Sequence, residues 1–250
     1  MNENLKLTAR DREVLYDCYS HAVMSFSQVH KRHFRDKSIA TVSNRLGQLR
    51  RGGYLKRHRV GIALFCGNAD EVGIVYQLTR KGHTYLRGAF PNEPIRDEPH
   101  RLNPPSLAHD LLLNDTLAAL KMRFPDHRLV HGKLFPVPNG SGVRHPDAVI
   151  LDQFGQPNTA IELELTAKSD TRYRSILVQY MTSAEYKSVL YIVGGSVISD
   201  KIKYQITHQK STPHLRAPST GKFYFVTLSD LLSDPRQVPI SNGSGLLFVF

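Results

Sequence analysis

HPDAVILDQFGQPNTAIELELTAK, residues 145–168, is the stretch on which the architecture turns. Its opening, HPDAVILD, is rich in β-formers and runs into QFGQPNT, a connector carrying the glycine, proline and asparagine of a turn. AIELELT then alternates, with Ile161, Leu163 and Leu165 on one face and Glu162, Glu164 and Thr166 on the other. Two strands joined by a turn follow. Folding the second strand back on the first brings Asp147 opposite Glu164 or within a residue or two of it, and the long connector leaves several registers open. Lys168 extends the polar face if the strand runs that far.

Like charges that close across a sheet repel one another, so three acids at one spot ask for a compensating cation. Divalent magnesium or manganese, which prefer carboxylate oxygens, would supply it at Asp147, Glu162 and Glu164. The plainer alternative makes Glu162 and Glu164 the wet side of an edge strand. A Pro-Asp entering one strand, Glu-x-Glu on the next and a lysine beyond it resemble the PD-(D/E)XK nuclease core. In that resemblance Asp147 is the Asp, Glu162 the second acid, and Glu164 stands where most members carry lysine and some carry glutamate. It implies metal-dependent phosphodiester hydrolysis. Asp147 and Glu162 hold the ion, Glu164 binds metal or takes a proton from water, and Lys168 neutralises charge at the phosphate.

The chain has 250 residues, enough for two modest domains or one large one, with a net charge of +11. A sequence pI of about 9.7 points to polyanionic partners. The basicity is concentrated, since residues 1–60 hold 13 Lys+Arg against 5 Asp+Glu. Cys18 and Cys66 form neither a metal-ligand spacing nor a disulfide framework, which fits a reducing compartment. MNENLKLTARDRE lacks the apolar core of a signal peptide, and no run approaches a membrane span. A soluble cytoplasmic protein is expected. No GxGxxG or phosphate-loop spacing occurs.

Residues 1–97 read as a winged helix-turn-helix. LTARDREVLYDCYSH starts at Thr8, with Asp11 in a capping-box position, and MSFSQVHKRHF offers a second helix capped at Ser25 or Ser27. A third helix, about residues 38–51, turns Ile39, Val42, Leu46 and Leu49 inward and stops at Gly52-Gly53. YLKRHRVGIALF and EVGIVYQLT then form a hairpin, and TRKGHTYLRG starts a short helix. In a DNA major groove Asn44, Arg45 and Gln48 of the third helix meet base edges, while Arg50, Arg51, Lys56, Arg57 and Arg59 meet phosphates. The alternative is a winged helix used for protein contacts.

FPNEPIRDEPHRLNPP, residues 90–105, has five prolines and reads as the linker, or as an ordered arm packed across both domains. Residues 98–250 form the second domain. SLAHDLLLNDTLAALKMRF is a helix expected to cover one face of the sheet, with His109 and Asp110 as candidates to reach the acidic site. After Lys168, SDTRYRSILVQYMTSAEY is a helix whose Arg172, Arg174 and Gln179 lie near the site's mouth. The order helix, three strands, helix, strand, helix, strand gives an α/β sandwich around a mixed sheet, and the whole chain an α+β class.

Taken together, LTARDREVLYDC, SNRLGQLRRGGYLKR, YQLTRKGHTYL, LAHDLLLNDTLAAL, HPDAVI and IELELT resemble the MOBC type of plasmid mobilisation relaxase, the MobC-like proteins. The chain is also similar to the replication-relaxation proteins. The resemblance implies a site- and strand-specific nick in double-stranded plasmid DNA at an origin of transfer. It also implies action beside an accessory DNA-binding protein and a coupling protein. Relaxases with a histidine-held metal and a nucleophilic tyrosine are not matched, and nothing marks Tyr173, Tyr180 or Tyr186 as a nucleophile. Two other readings stand beside this one: a non-catalytic replication or transcription regulator with a decayed nuclease core, and a defence-type DNA endonuclease.

Overall fold

The computed structural model describes residues 5–61, 72–135, 144–208 and 220–242, with Gly245 and Phe248. They fall into two compact units, Met1–Asn114 and Asp115–Phe250.

In the first unit, α1 (Ala9–Ser20) begins with a reciprocal capping box. The Thr8 hydroxyl accepts the Asp11 N–H at 3.2 Å, and the Asp11 carboxylate accepts the Thr8 N–H at 2.7 Å. Ser25 and Gln28 cap α2 (Phe26–His33) in the same way. Helix α3 (Ile39–Arg51), capped by Ser38, buries Val42, Leu46 and Leu49 and ends at Gly52-Gly53, where Gly53 takes a φ of 78°. Ile39 departs from expectation. It is the first helical residue, a turn ahead of Val42, and it is 67% exposed. Strands β1 (Met24–Ser25), β2 (Leu55–Gly61) and β3 (Val72–Leu78) form an antiparallel sheet in the order β1-β3-β2, followed by α4 (Arg80–Ala89). The tip of the β2–β3 hairpin lies outside the described residues.

The proline-rich stretch is an ordered arm on this unit. The Tyr19 hydroxyl donates to the Pro94 carbonyl at 3.0 Å and accepts the Arg96 N–H at 3.2 Å, while Ile95 is buried. Arg80 pairs with Glu98, and Arg87 with Asp97. Proline removes a donor but leaves its carbonyl to be used. Helix α5 (Leu107–Arg123) follows, and its first half serves this unit: Leu107 and Leu111 pack with Val23 and Val75. Asn114 donates to the Val23 carbonyl at 2.7 Å, and Gln28 to the Leu111 carbonyl at 2.7 Å. The compact units therefore divide inside α5, after Asn114, and not at 97/98 as the proline run led one to expect.

The second unit follows the expected order through five strands and then adds a short helix and a sixth strand. Strands β4 (Arg128–His131), β5 (Ala148–Leu151) and β6 (Pro157–Glu164) precede α6 (Asp170–Thr182), β7 (Ser188–Val193), α7 (Ser196–His208), β8 (Phe223–Thr227), α8 (Leu228–Ser233) and β9 (Ser241–Asn242). The six strands pair in sequence order. The β4–β5–β6 pairs are antiparallel, β6–β7–β8 parallel, and β8–β9 antiparallel. Such a mixed sheet gives the α+β class. Strand β6 is central, and its last six residues are all buried. Val149, Ala160, Val189, Tyr191, Phe223 and Phe225 pack beneath Tyr173, Ile176, Leu177 and Tyr180 of α6 and Ile198, Ile202 and Ile206 of α7. By the pleat, Glu162 and Glu164 share the face of Ala160, so they lie under helices and not on a wet edge. Among the described residues no helix is long and apolar enough to cross a membrane.

Candidate functional site

Ala148 of β5 pairs with Ile161 of β6, which sets Asp147 across from Glu162. The Asp147 N–H donates to the Ile161 carbonyl at 3.0 Å, and the Leu163 N–H donates to Asp147 Oδ2 at 2.8 Å. The register left open by the connector is thus settled two residues short of Glu164. Gly132, in the turn after β4, holds the same acid from behind: its N–H donates to the Asp147 carbonyl at 2.7 Å. A Cβ at 132 would fall on the Pro146 carbonyl oxygen and within 2.8 Å of the Asp147 carbonyl, so only glycine fits there.

Glu162 is clamped. Arg144 donates from Nε to Oε1 at 2.7 Å and from Nη2 to Oε2 at 3.1 Å, and the Tyr180 hydroxyl donates to Oε1. Burial lifts the Glu162 carboxyl above its ordinary value and the Asp147 charge adds to the lift, while Arg144 and Tyr180 pull the other way. Burial opposes the charge on Arg144, but the bonds to Glu162 outweigh it and keep the guanidinium protonated. Glu164 has its own cation. Strand β6 ends at Glu164, and the chain turns so that Lys168, just ahead of the Ser169 cap of α6, brings Nζ back onto the Glu164 carboxylate. The Lys168 N–H donates to the Tyr173 hydroxyl at 3.1 Å. Lys168 therefore joins the acids by a turn and not along a continued strand.

The positive charge that three acids require is supplied by Arg144 and Lys168. Sequence reading missed Arg144, whose only signal is a cation just ahead of the Pro-Asp in RHPD, and it weighed Tyr180 as a nucleophile and not as a partner of Glu162. Both Glu162 oxygens are occupied. Among the described residues, no group of three or more His, Cys, Asp or Glu is arranged to hold a metal ion. The arrangement does not fit magnesium or manganese as it stands.

The other candidates proposed for this site are scattered. Arg172 and Gln179 are exposed on α6, and Arg174 donates to Gln205 of α7 at 2.9 Å. Tyr173, Tyr180 and Tyr186 are fully buried, and burial raises all three hydroxyls above their ordinary pKa. His109 and Asp110 belong to the first unit, where Asp110 accepts from Ser106 Oγ at 3.2 Å beside the start of α5. A crevice of about 430 Å³ opens at the carboxyl ends of β7 and β8, lined among others by Val193, Lys203 and Asp230 but by none of the acids above.

In the first unit, Asn44, Gln48, Arg50, Arg51, Lys56, Arg57 and Arg59 are exposed on α3 and β2. None of the five cations takes part in an ion pair among the described residues. Arg45 differs: it faces inward, with Nε donating to Asp11 Oδ1 at 2.8 Å and Nη2 to Oδ2, and its Nη1 donates to Gln48. Burial raises the Asp11 carboxyl, but Arg45 and Thr8 outweigh it and hold Asp11 below its ordinary value. Arg45→Ala leaves a buried carboxylate with Thr8 alone and is expected to cost about 2 kcal/mol at neutral pH. A depressed carboxylate contributes stability that is present above its unfolded pKa and lost as pH falls through the folded value. Thermal melts should therefore show the penalty at pH 7 and a smaller one in acid below the usual carboxylate range. A pH-independent gap would mean that Arg45 acts through packing alone.

The sequence model of the family described as replication-relaxation matches residues 15–188, a span that takes in both the cationic face and Asp147 to Lys168. Neither the curated proteins nor the solved structures returned a match.

Proposed function

Because the chain belongs to the replication-relaxation family, we propose that it acts on plasmid DNA as a site- and strand-specific nickase at an origin of transfer. The first unit serves as a winged helix, with Asn44 and Gln48 at base edges and Arg50, Arg51, Lys56, Arg57 and Arg59 on phosphates. An accessory DNA-binding protein and a coupling protein are the partners this role brings with it. Asp147, Glu162, Glu164 and Lys168 form the cutting site. The observation that carries this reading is the register of β5 on β6, which gathers Asp147 and Glu162 while Lys168 returns onto Glu164.

Glu164 is placed to take the proton of an attacking water, and Lys168 to meet negative charge on the scissile phosphate. In a PD-(D/E)XK core a divalent ion polarises that phosphate. Here Glu162 must leave Arg144 and Tyr180 before its carboxylate could take up an ion. The same clamp favours a second reading, a non-catalytic regulator that binds DNA with a decayed core.

Supercoiled plasmid bearing the origin region from this chain's own replicon, incubated with and without manganese, separates the alternatives. Open circles are expected, and their restriction to the manganese arm would show that Glu162 leaves its clamp to take up an ion. Linear product would point to a defence-type endonuclease. Tight binding with the plasmid left supercoiled would make the chain a regulator.

A further inference from the structure

The α3 helix carries a glycine that its own fold does not need. Gly47 is an interior residue, and glycine is the poorest helix former after proline. A Cβ there would meet only the far end of the Arg51 side chain, at 3.5 Å, an ordinary contact. Gly82 in α4 makes the contrast, because a Cβ there would sit 2.6 Å from the Leu78 side chain and the Tyr54 carbonyl. Packing demands glycine at 82 and does not demand it at 47.

Gly47 lies on the face of α3 turned away from Val42, Leu46 and Leu49. Ala40, Asn44, Gly47 and Arg51 follow one another at helical spacing along it, and Ala40, Asn44 and Arg51 are exposed. The surrounding charge is of one sign. Residues 38–61 contain no Asp or Glu, and Arg50, Arg51, Lys56, Arg57 and Arg59 are all exposed. A weak helix position kept bare in the middle of a cationic face suits a surface that must come very close to a polyanion. We propose that Gly47 is the point of closest approach between α3 and the floor of a DNA major groove. The missing side chain lets Asn44 and Gln48 on either side reach base edges together, so Gly47 sets specificity without touching a base through a side chain of its own.

This inference rests on the DNA-binding reading above, and one experiment tells the two apart. The full chain is used to enrich duplexes from a randomised library, and affinities for the enriched and the unselected duplex are then measured for wild type, Gly47→Ala and Gly88→Ala. Gly88 is a helical glycine of α4 whose added Cβ would meet nothing within 4 Å. Gly47→Ala should raise the melting temperature by about 2–4 °C, as Ala for Gly does in a helix. It should bind the enriched duplex about tenfold more weakly. Its affinity for the unselected duplex should change little, and Gly88→Ala should bind both as wild type does. If Gly47→Ala holds the enriched duplex as tightly as wild type, the role of Gly47 is overturned while DNA binding stands. If the wild-type chain enriches no sequence and binds no duplex, the DNA-binding reading fails and the inference falls with it.

Discussion

Arg144→Ala should strongly destabilise the second unit, lowering stability by about 3 kcal/mol and the melting temperature by roughly 10 °C. The reason is what it leaves behind. Glu162 is buried between strands, and without the guanidinium its carboxylate keeps only the Tyr180 hydroxyl while still facing the Asp147 charge. The sign of the pH dependence follows from the raised carboxyl. A group whose folded pKa lies above its unfolded value contributes stability that is full below the unfolded pKa and lost as pH rises through the folded one. The penalty of Arg144→Ala should therefore be largest at neutral pH and shrink in acid, where Glu162 takes up a proton. Adding Glu162→Gln to Arg144→Ala should recover much of the loss, since the charge is gone and only an amide remains to be satisfied. Thermal melts of the two variants at pH 7 and pH 4.5 check this. Equal melting temperatures for wild type and Arg144→Ala at neutral pH would show that the ion pair contributes nothing net.

Asp147→Asn should reduce nicking of origin plasmid by about 100-fold or more while leaving duplex binding by the first unit intact. The asparagine is chosen over alanine because its side-chain oxygen can still accept the Leu163 N–H that Asp147 takes at 2.8 Å. The strand pairing is thereby kept and the charge alone is removed. Glu164→Gln tests the proton acceptor in the same way, and its loss should fall on turnover with affinity for DNA unchanged. Open-circle formation and mobility shifts, measured on the same preparations, give the two readouts. Asp147→Asn cutting at the wild-type rate would remove that residue from the site.

Much of this was legible in the sequence. Thr8 with Asp11 and Ser25 with Gln28 mark helix starts through local hydrogen bonds, and local chemistry is what a sequence displays best. The order of strands and helices from residue 107 to β8 follows from alternation and periodicity, while α8 and the two-residue β9 fall outside that expected order. The acidic hairpin was found by the same pattern. What it hid was burial: AIELELT alternates as an exposed strand would, and only the parallel pairing of β6 with β7 places Glu162 and Glu164 under α6 and α7. The place of Arg45 was hidden for a related reason. Its partner, Asp11, lies on α1, and no local pattern connects them. The proline-rich arm misled in the opposite direction, since its composition suggests a linker while its carbonyls and Ile95 belong to the first unit.

Gly132 carries no chemistry, yet the position of an acid depends on it. Any side chain there would collide with the carbonyls of Pro146 and Asp147 and push the start of β5 away from the turn that follows β4. Natural variation at residue 132 is thus closed for as long as Asp147 must stay in place. A lineage that gave up the acid would be released at both positions together, so paired drift at 132 and 147 would be the trace of a core that has stopped working.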